Sequence, residues 1–233
     1  MSEIRVIPVP GLPEIAEGTA LGELIAARAE PRDGDVVVVS QKIVSKAEGR
    51  LRRLSSVIPG GEARRLGALT GKEPALVELI LAESREVLRA ARGALIVETS
   101  HGFVCANAGI DSSNLPEPGV VSLLPEDPDA SARRIRAEVR AAAGVTVAAI
   151  VSDSFGRAWR LGQAEVAIGC AGIAPLDDWR GRRDAGGRTL GATLIAIADE
   201  AAAAADLVRD KASRVPAALV RGLERFVTVE DGP

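Results

Sequence analysis

Two aspartates stand where an apolar run gives way to a turn of glycine and serine. Asp111 lies in His101-Gly-Phe-Val-Cys-Ala-Asn-Ala-Gly-Ile-Asp111-Ser-Ser-Asn114, and Asp153 in Ala149-Ile-Val-Ser152-Asp153-Ser-Phe-Gly-Arg157. Carboxylates at strand ends, beside hydroxyls and tight turns, suit a hard divalent cation held against a phosphate. One or two Mg²⁺ or Mn²⁺ ions would take oxygens from Asp111 and Asp153, with Ser154, Ser112 or Asn114 as further ligands or as hydrogen-bond partners of the ligands. A single aspartate at a turn is more often an Asx-turn or a helix cap. Two in such settings bring the metal and turn readings to about equal weight. A zinc set is excluded, because the chain has one histidine, His101, and two separated cysteines, Cys105 and Cys170.

Of the 29 basic residues only Lys42, Lys46, Lys72 and Lys211 are lysines. Where arginine serves as the general cation, a lysine marks a place that needs a compact point charge, such as a phosphate contact. Gln41, Lys42 and Lys46 follow the apolar run Asp35-Val-Val-Val-Val39, so they sit where a strand's carboxyl end meets a ligand. The P-loop glycine pattern is absent, and a solvated charged turn is the competing reading. Six arginines (157, 160, 180, 182, 183, 188) alternate with Asp177, Asp178 and Asp184. Spacing alone does not separate an anion-binding fork from a surface salt-bridge mesh. His101 has no assignable serine or cysteine partner, so no catalytic triad is supported. It reads as a turn or substrate-side residue. Four of the five aromatics (Phe103, Phe155, Trp159, Trp179) lie near the aspartate turns, where they either stack on a planar ligand or pack the core.

These side chains need a frame. Ile4 to Val9 reads as a first strand, and Thr19 caps a short helix carrying Leu21, Leu24 and Ile25. Asp35 to Val39 is a buried strand. The spacing of Leu76, Leu79, Ile80, Val87 and Leu88 predicts a helix from Pro74 to Arg92, closed by Gly93. Ala94–Glu98 and Phe103–Ala106 pair as strands across Ser100-His101-Gly102. A helix runs from Asp127-Pro128 to Ala143, stopped by Gly144. A strand then ends at Asp153, and another spans Glu165 to Cys170. Residues 176–191 form a charged loop, with 182–191 its most mobile part. An alanine-rich helix follows from about Leu190 to Arg209, its Asp199-Glu200 on a solvated face, and Ala217 to Val220 closes the core. Helices and strands alternate without a strict βαβ rhythm, which favours α+β with mixed sheets.

At 233 residues the chain can bury a full core. A net charge of -3 argues against a nucleic-acid partner. No apolar run approaches the ~18 residues of a bilayer span, and no signal peptide is seen. The two cysteines read as buried thiols in a reducing cytoplasm.

Together these segments resemble the coenzyme F420:γ-glutamyl ligase family, in its stand-alone form. The resemblance is carried in order by Gly11-Leu-Pro-Glu14, Asp33-Gly-Asp-Val-Val-Val-Val-Ser-Gln-Lys-Ile-Val-Ser-Lys-Ala-Glu-Gly-Arg50, the Asp111 and Asp153 blocks, Leu124-Pro-Glu-Asp-Pro-Asp129, Ala167-Ile-Gly169, Ala198-Asp-Glu200 and Val220-Arg-Gly-Leu223. It implies an α+β fold with mixed sheets packed with helices, in an intertwined, two-lobed protomer. Residues 1–233 would form one ligase unit of two interleaved subdomains, whose boundaries sequence does not assign, and two copies would form a homodimer. The implied reaction is GTP-dependent addition of L-glutamate to the lactyl carboxylate of the deazaflavin coenzyme precursor, with further γ-linked glutamates, through an acyl phosphate. The implied metal ligands for Mg²⁺ or Mn²⁺ are Asp111, Asp153 and Ser154, with K⁺ as a supporting ion. The implied nucleotide contacts are Leu12, Pro13, Glu14, Ile15, Gln41, Lys42, Lys46 and Asn114. The segment from Arg209 through Asp210 and Lys211 to about Val215 would close over the nucleotide. Asp111, Asp153 and Lys46 are the catalytic candidates.

Three departures stand out. Ala158 replaces a usual proline and Ser154 a usual threonine, and Asp184-Ala-Gly-Gly-Arg188 lacks an aromatic two residues after the aspartate. Ser154 keeps the ligand oxygen, while the loop change bears on acceptor recognition. A metal-dependent nucleotide phosphohydrolase and a non-catalytic nucleotide-binding module are the competing functions.

Overall fold

A computed structural model describes residues 3–115, 117–209 and 212–232. Asp210 and Lys211, assigned by sequence to the nucleotide segment, lie outside the described residues. The first part of the chain forms β1 (Arg5–Pro8), α1 (Leu21–Ala29), β2 (Val36–Ser40), α2 (Gln41–Ala47) and β3 (Leu51–Arg53). Next come α3 (Gly61–Thr70), α4 (Pro74–Ala82), β4 (Ser84–Ala91), β5 (Ala94–Thr99), β6 (Val104–Ala106) and β7 (Val120–Ser122). The rest is α5 (Pro128–Ala143), β8 (Ala148–Arg157), β9 (Arg160–Ala171), β10 (Asp177–Asp178), β11 (Leu194–Ile195), α6 (Ile197–Asp206) and β12 (Ala217–Arg221).

The central sheet runs β1-β12-β2-β8-β9 and is mixed: β2 and β8 are parallel, and the other neighbours are antiparallel. This is the expected α+β class. The four consecutive valines of β2 follow from its position, since both of its faces are covered. Val37 and Val39 pack with Ile25 of α1 and with Ala132, Ile135 and Val139 of α5. Val36 and Val38 pack with Ala198, Ala201, Ala202 and Ala205 of α6. Each valine is fully buried, contributing roughly 1.5–3 kcal/mol. A third core lies between α3, α4 and the β4-β5-β6 sheet, around Leu66, Val77, Ile80, Leu95 and Val97. Among the described residues no helix is long and apolar enough to cross a membrane.

Helix α5 has the expected limits: Asp127 Oδ1 accepts from Ala130 N at 2.8 Å, and Gly144 closes the helix at φ 72°. Four expectations need correction. Helix α4 stops at Ala82, and residues 84–91 form β4 paired with β5. Two register shifts in β4 break the two-residue alternation, so Val87 and Leu88 imitate helical spacing. Gly93 turns this hairpin at φ 79° and does not end a helix. Helix α6 begins only at Ile197, because Leu194 and Ile195 pair with Asp178 and Asp177. Thr19 does not cap α1, since its Oγ1 donates to Ala16 O at 2.6 Å. Strand β8 continues past Asp153 to Arg157, so Asp153 is a mid-strand residue of the β8–β9 hairpin.

Candidate active site

The parallel pair β2/β8 sets the geometry. Their register ends with Ser40 opposite Ser152, which places the start of α2 beside Asp153. Within α2, Lys42 and Lys46 are four residues apart and share a face, as do Gln41 and Ser45. The lysines line a cavity of about 770 Å³, within the ~300–1,000 Å³ typical of small-molecule sites. The other pair points into the fold. Gln41 is 1% exposed and its Oε1 accepts from Ser45 Oγ at 2.8 Å, while Ser45 Oγ also approaches Leu123 O at 2.6 Å. Gln41 therefore holds α2 in place, and Lys42 and Lys46 face the cavity.

Other expected contacts line the same cavity: Leu12, Pro13, Glu14 and Ile15 from the loop after β1, Asn114, Arg209 and Val215. Lys46 Nζ meets Glu14 Oε1 at 2.5 Å and donates to the Asn114 carbonyl at 3.4 Å. Glu165 and Asp206, which sequence reasoning did not place in a site, also line it. Glu165 was legible only as the first residue of the strand expected from Glu165 to Cys170.

Asp111 is reached through a bridge to Ser122, each residue's N–H bonding the other's carbonyl. Its Oδ1 accepts from Ser113 N at 2.7 Å, and its Oδ2 from Ser113 Oγ at 2.9 Å. Lys42 Nζ lies 2.7 Å from the same carboxylate and donates to Ser113 Oγ at 2.7 Å. Asp111 thus makes the hydrogen bonds of a turn and pairs with Lys42 through the same carboxylate. Burial opposes the Asp111 charge, but hydrogen bonds from Lys42 and Ser113 outweigh it and hold the carboxyl below its ordinary pKa.

Asp153 has the opposite balance. Burial pushes its carboxyl from 3.8 up to about 7, against a backbone hydrogen bond from Ser154. The charges of Glu165 and Asp111 push it further, and Lys42 pulls it back. Asp111 and Asp153 therefore stand within each other's electric field. Val151 and Phe155 join the core under α1 and α5 whereas Ile150 joins the opposite one, so alternation along β8 puts Asp153 and Ser154 on different faces. Ser154 Oγ donates to Glu165 Oε1 at 2.6 Å. Arg209 Nη2 donates to Glu165 Oε2 at 3.0 Å and to Ser152 Oγ at 3.1 Å.

Among the described residues no three His, Cys, Asp or Glu side chains form a closed metal cage. Two hard carboxylates, one of them half-buried with its charge poorly offset, fit Mg²⁺ or Mn²⁺, which are held by few protein oxygens plus substrate phosphates. Ser154 lies across the strand from that pair, so these residues serve one shared ion less well than two.

The remaining candidates fall elsewhere. His101 Nε2 donates toward Pro125 O (2.9 Å) and Glu126 O (3.1 Å), and its ring stacks on Phe103. It tethers the β5–β6 turn. Arg180 pairs with Asp178 and Arg182 with Asp177, with Arg182 over Trp179, as in a surface mesh. Asp199, expected on a solvated face, accepts from Ala167 N at 2.9 Å. Burial pushes the Cys105 and Cys170 thiols up to about 11, which leaves them unreactive.

Residues 11–222 match the family described as F420-0:Gamma-glutamyl ligase. The chain is 44% identical to the "Coenzyme F420:L-glutamate ligase" of Methanothermobacter thermautotrophicus, over 94% of this chain and 89% of that one. It is 44% identical to the protein of the same name from Methanopyrus kandleri, over 99% and 91%. The Haloarcula marismortui protein of that name is 45% identical, over 95% and 88%.

Proposed function

The chain belongs to the F420-0:gamma-glutamyl ligase family, and from that membership we propose that it adds L-glutamate to the coenzyme F420 precursor using GTP. The observation that carries the nucleotide part is the shared wall: the Leu12–Ile15 loop, Lys42, Lys46, Asn114 and Arg209 meet around one cavity, with Asp111 bonded to Lys42 beside it. Four segments distant in sequence supply those groups, as a triphosphate site requires.

In this reading Lys42 and Lys46 hold the terminal phosphates and orient the γ-phosphorus toward the acceptor. A carboxylate oxygen of the acceptor tail attacks that phosphorus, the bond to the GDP oxygen breaks, and an acyl phosphate forms. The amine of glutamate then attacks the acyl carbon. A C–N bond forms, phosphate leaves, and the amine proton passes to solvent. Further γ-linked glutamates repeat the cycle. Mg²⁺ or Mn²⁺ held by Asp111 and Asp153 would supply charge neutralisation at the phosphate oxygens. No protein nucleophile is needed, which agrees with the unreactive thiols and the structural role of His101.

A homodimer belongs to the same proposal. The β8–β9 hairpin carries Trp159 at 79% and Leu161 at 99% exposure, apolar surface that a second copy would cover.

The test is purified protein with GTP, Mn²⁺, glutamate and the unglutamylated coenzyme, with products followed by mass. Acceptor heavier by glutamate residues, together with GDP and phosphate, is the expected outcome. GDP without adduct would make the protein a phosphohydrolase, and unchanged reactants a binding module.

A further inference from the structure

Glu165, like Asp206, is a charged group at this cavity to which the ligase reading assigns no part. It is 6% exposed, on β9, directly opposite Ser154 in the β8–β9 register. Its two oxygens are divided between two elements: Oε1 takes the Ser154 hydroxyl and Oε2 takes Arg209 Nη2. Arg209 lies beyond α6, on the segment that forms another part of the cavity wall, and is likewise 6% exposed. One side of its guanidinium is therefore fixed, by Glu165 and Ser152. Its Nη1 is buried and has no hydrogen-bond partner among the described residues. A buried donor left unpaired destabilises the fold, and an arginine whose fork is half held is pre-organised for an anion on its other half.

We propose that Glu165 is a positioning residue: through Arg209 Nη2 it orients the guanidinium so that Nη1 receives a phosphate oxygen of the nucleotide. The proposal rests on the nucleotide reading of the cavity. The carboxylate also ties Arg209 to β8, the strand of Asp153, so nucleotide grip and phosphate alignment share one rigid sheet pair. A salt bridge serving only to staple the post-α6 segment predicts a lower melting temperature with unchanged nucleotide affinity. The positioning role predicts a change in affinity.

The experiment is a double-mutant cycle on GTP binding in Mn²⁺, without acceptor or glutamate, read by calorimetric titration, with KM for glutamate and melting temperatures recorded beside it. Glu165→Gln and Arg209→Ala are each expected to weaken GTP about tenfold, and the double variant to be no weaker than Arg209→Ala. KM for glutamate should stay within twofold in Glu165→Gln. Unchanged GTP affinity in Glu165→Gln, or effects that simply add, overturn the proposal while the nucleotide reading stands. Absence of GTP binding by the unsubstituted protein overturns both. Should Glu165→Gln fail to fold, Arg209→Lys decides the matter: it keeps the charge but loses the oriented fork and should weaken GTP by a similar factor, and unchanged affinity overturns the proposal.

Discussion

Lys42 and Asp111 neutralise each other across 2.7 Å, although 16% of the lysine side chain and 41% of the aspartate side chain remain exposed. A divalent cation on Asp111 must share that carboxylate with the ammonium or displace it. Lys42→Met is therefore expected to tighten Mn²⁺ binding measured without nucleotide, and to weaken GTP binding. The exposure of the pair limits the first effect: such pairs contribute about 0.2–1 kcal/mol, so the gain should not exceed about fivefold. Mn²⁺ titration followed by electron paramagnetic resonance measures it. Weaker Mn²⁺ binding in the variant would mean that Lys42 does not compete with the ion.

Asp153 gives the site a pH dependence of defined sign. Its folded pKa is raised from 3.8 to about 7 by burial first. Below about pH 4 the carboxyl is protonated in both folded and unfolded chains and contributes nothing. Between about 4 and 7 the unfolded chain ionises first, so this group lowers stability as pH rises, and the loss levels off above 7. In EDTA, Asp153→Asn should therefore gain stability relative to the unsubstituted protein from pH 4 to 7, while losing turnover. A denaturant series at each pH measures the difference. Mn²⁺ should restore stability to the unsubstituted protein alone and release a proton near neutral pH. A difference independent of pH would remove Asp153 from the raised-pKa role.

Some of this was readable from the chain and some was not, for physical reasons. Four valines in succession announce a strand covered on both faces, and Asp127-Pro128 with Gly144 announces both ends of α5, because these signals are local. The fate of residues 84–91 is not local: pairing with β5 overrides the helical spacing, and two bulges disguise the alternation. Lys42 and Lys46 were legible as ligand candidates because type and place agree, whereas Asn114 and the Leu12–Ile15 loop entered as nucleotide contacts only through the family resemblance; all of them line the cavity. Gln41 was grouped with them by adjacency, yet the helical period sends it to Ser45 and into the fold. Glu165 had no signature, since its significance comes from Arg209, 44 residues further on. The opposite facing of Asp153 and Ser154 follows only once β8 is known to continue to Arg157.

Gly169 tests the packing that seats the site. A Cβ there would fall 2.3 Å from the Pro128 carbonyl carbon and 2.4 Å from its oxygen, both backbone atoms that cannot swing aside. The first turn of α5 thus rests directly on β9, with Asp129 Oδ1 accepting from Cys170 N at 2.8 Å. Gly169→Ala should cost about 1–3 kcal/mol by overpacking, lowering the melting temperature by several degrees. It should also reduce activity, because β9 carries Glu165. A melting temperature equal to that of the unsubstituted protein would mean that α5 does not press on the strand this closely.

The proposed homodimer makes a prediction about the β8–β9 hairpin. Strand β9 is an edge of the central sheet, and edges invite pairing unless they are blocked. Its inner end is blocked: Asp199 takes the Ala167 N–H and Asp129 the Cys170 N–H. Its outer end carries Leu161, 99% exposed, next to Trp159 at the turn. A second copy should therefore cover the outer hairpin, where apolar area and open edge coincide. The unsubstituted protein is expected to sediment as a dimer at micromolar concentration, and Trp159→Arg with Leu161→Arg as a monomer that keeps its melting temperature within a few degrees. Both side chains are exposed within the protomer, so loss of the dimer would not reflect loss of the fold. A monomeric unsubstituted protein, or a dimer that survives both arginines, would place the interface elsewhere.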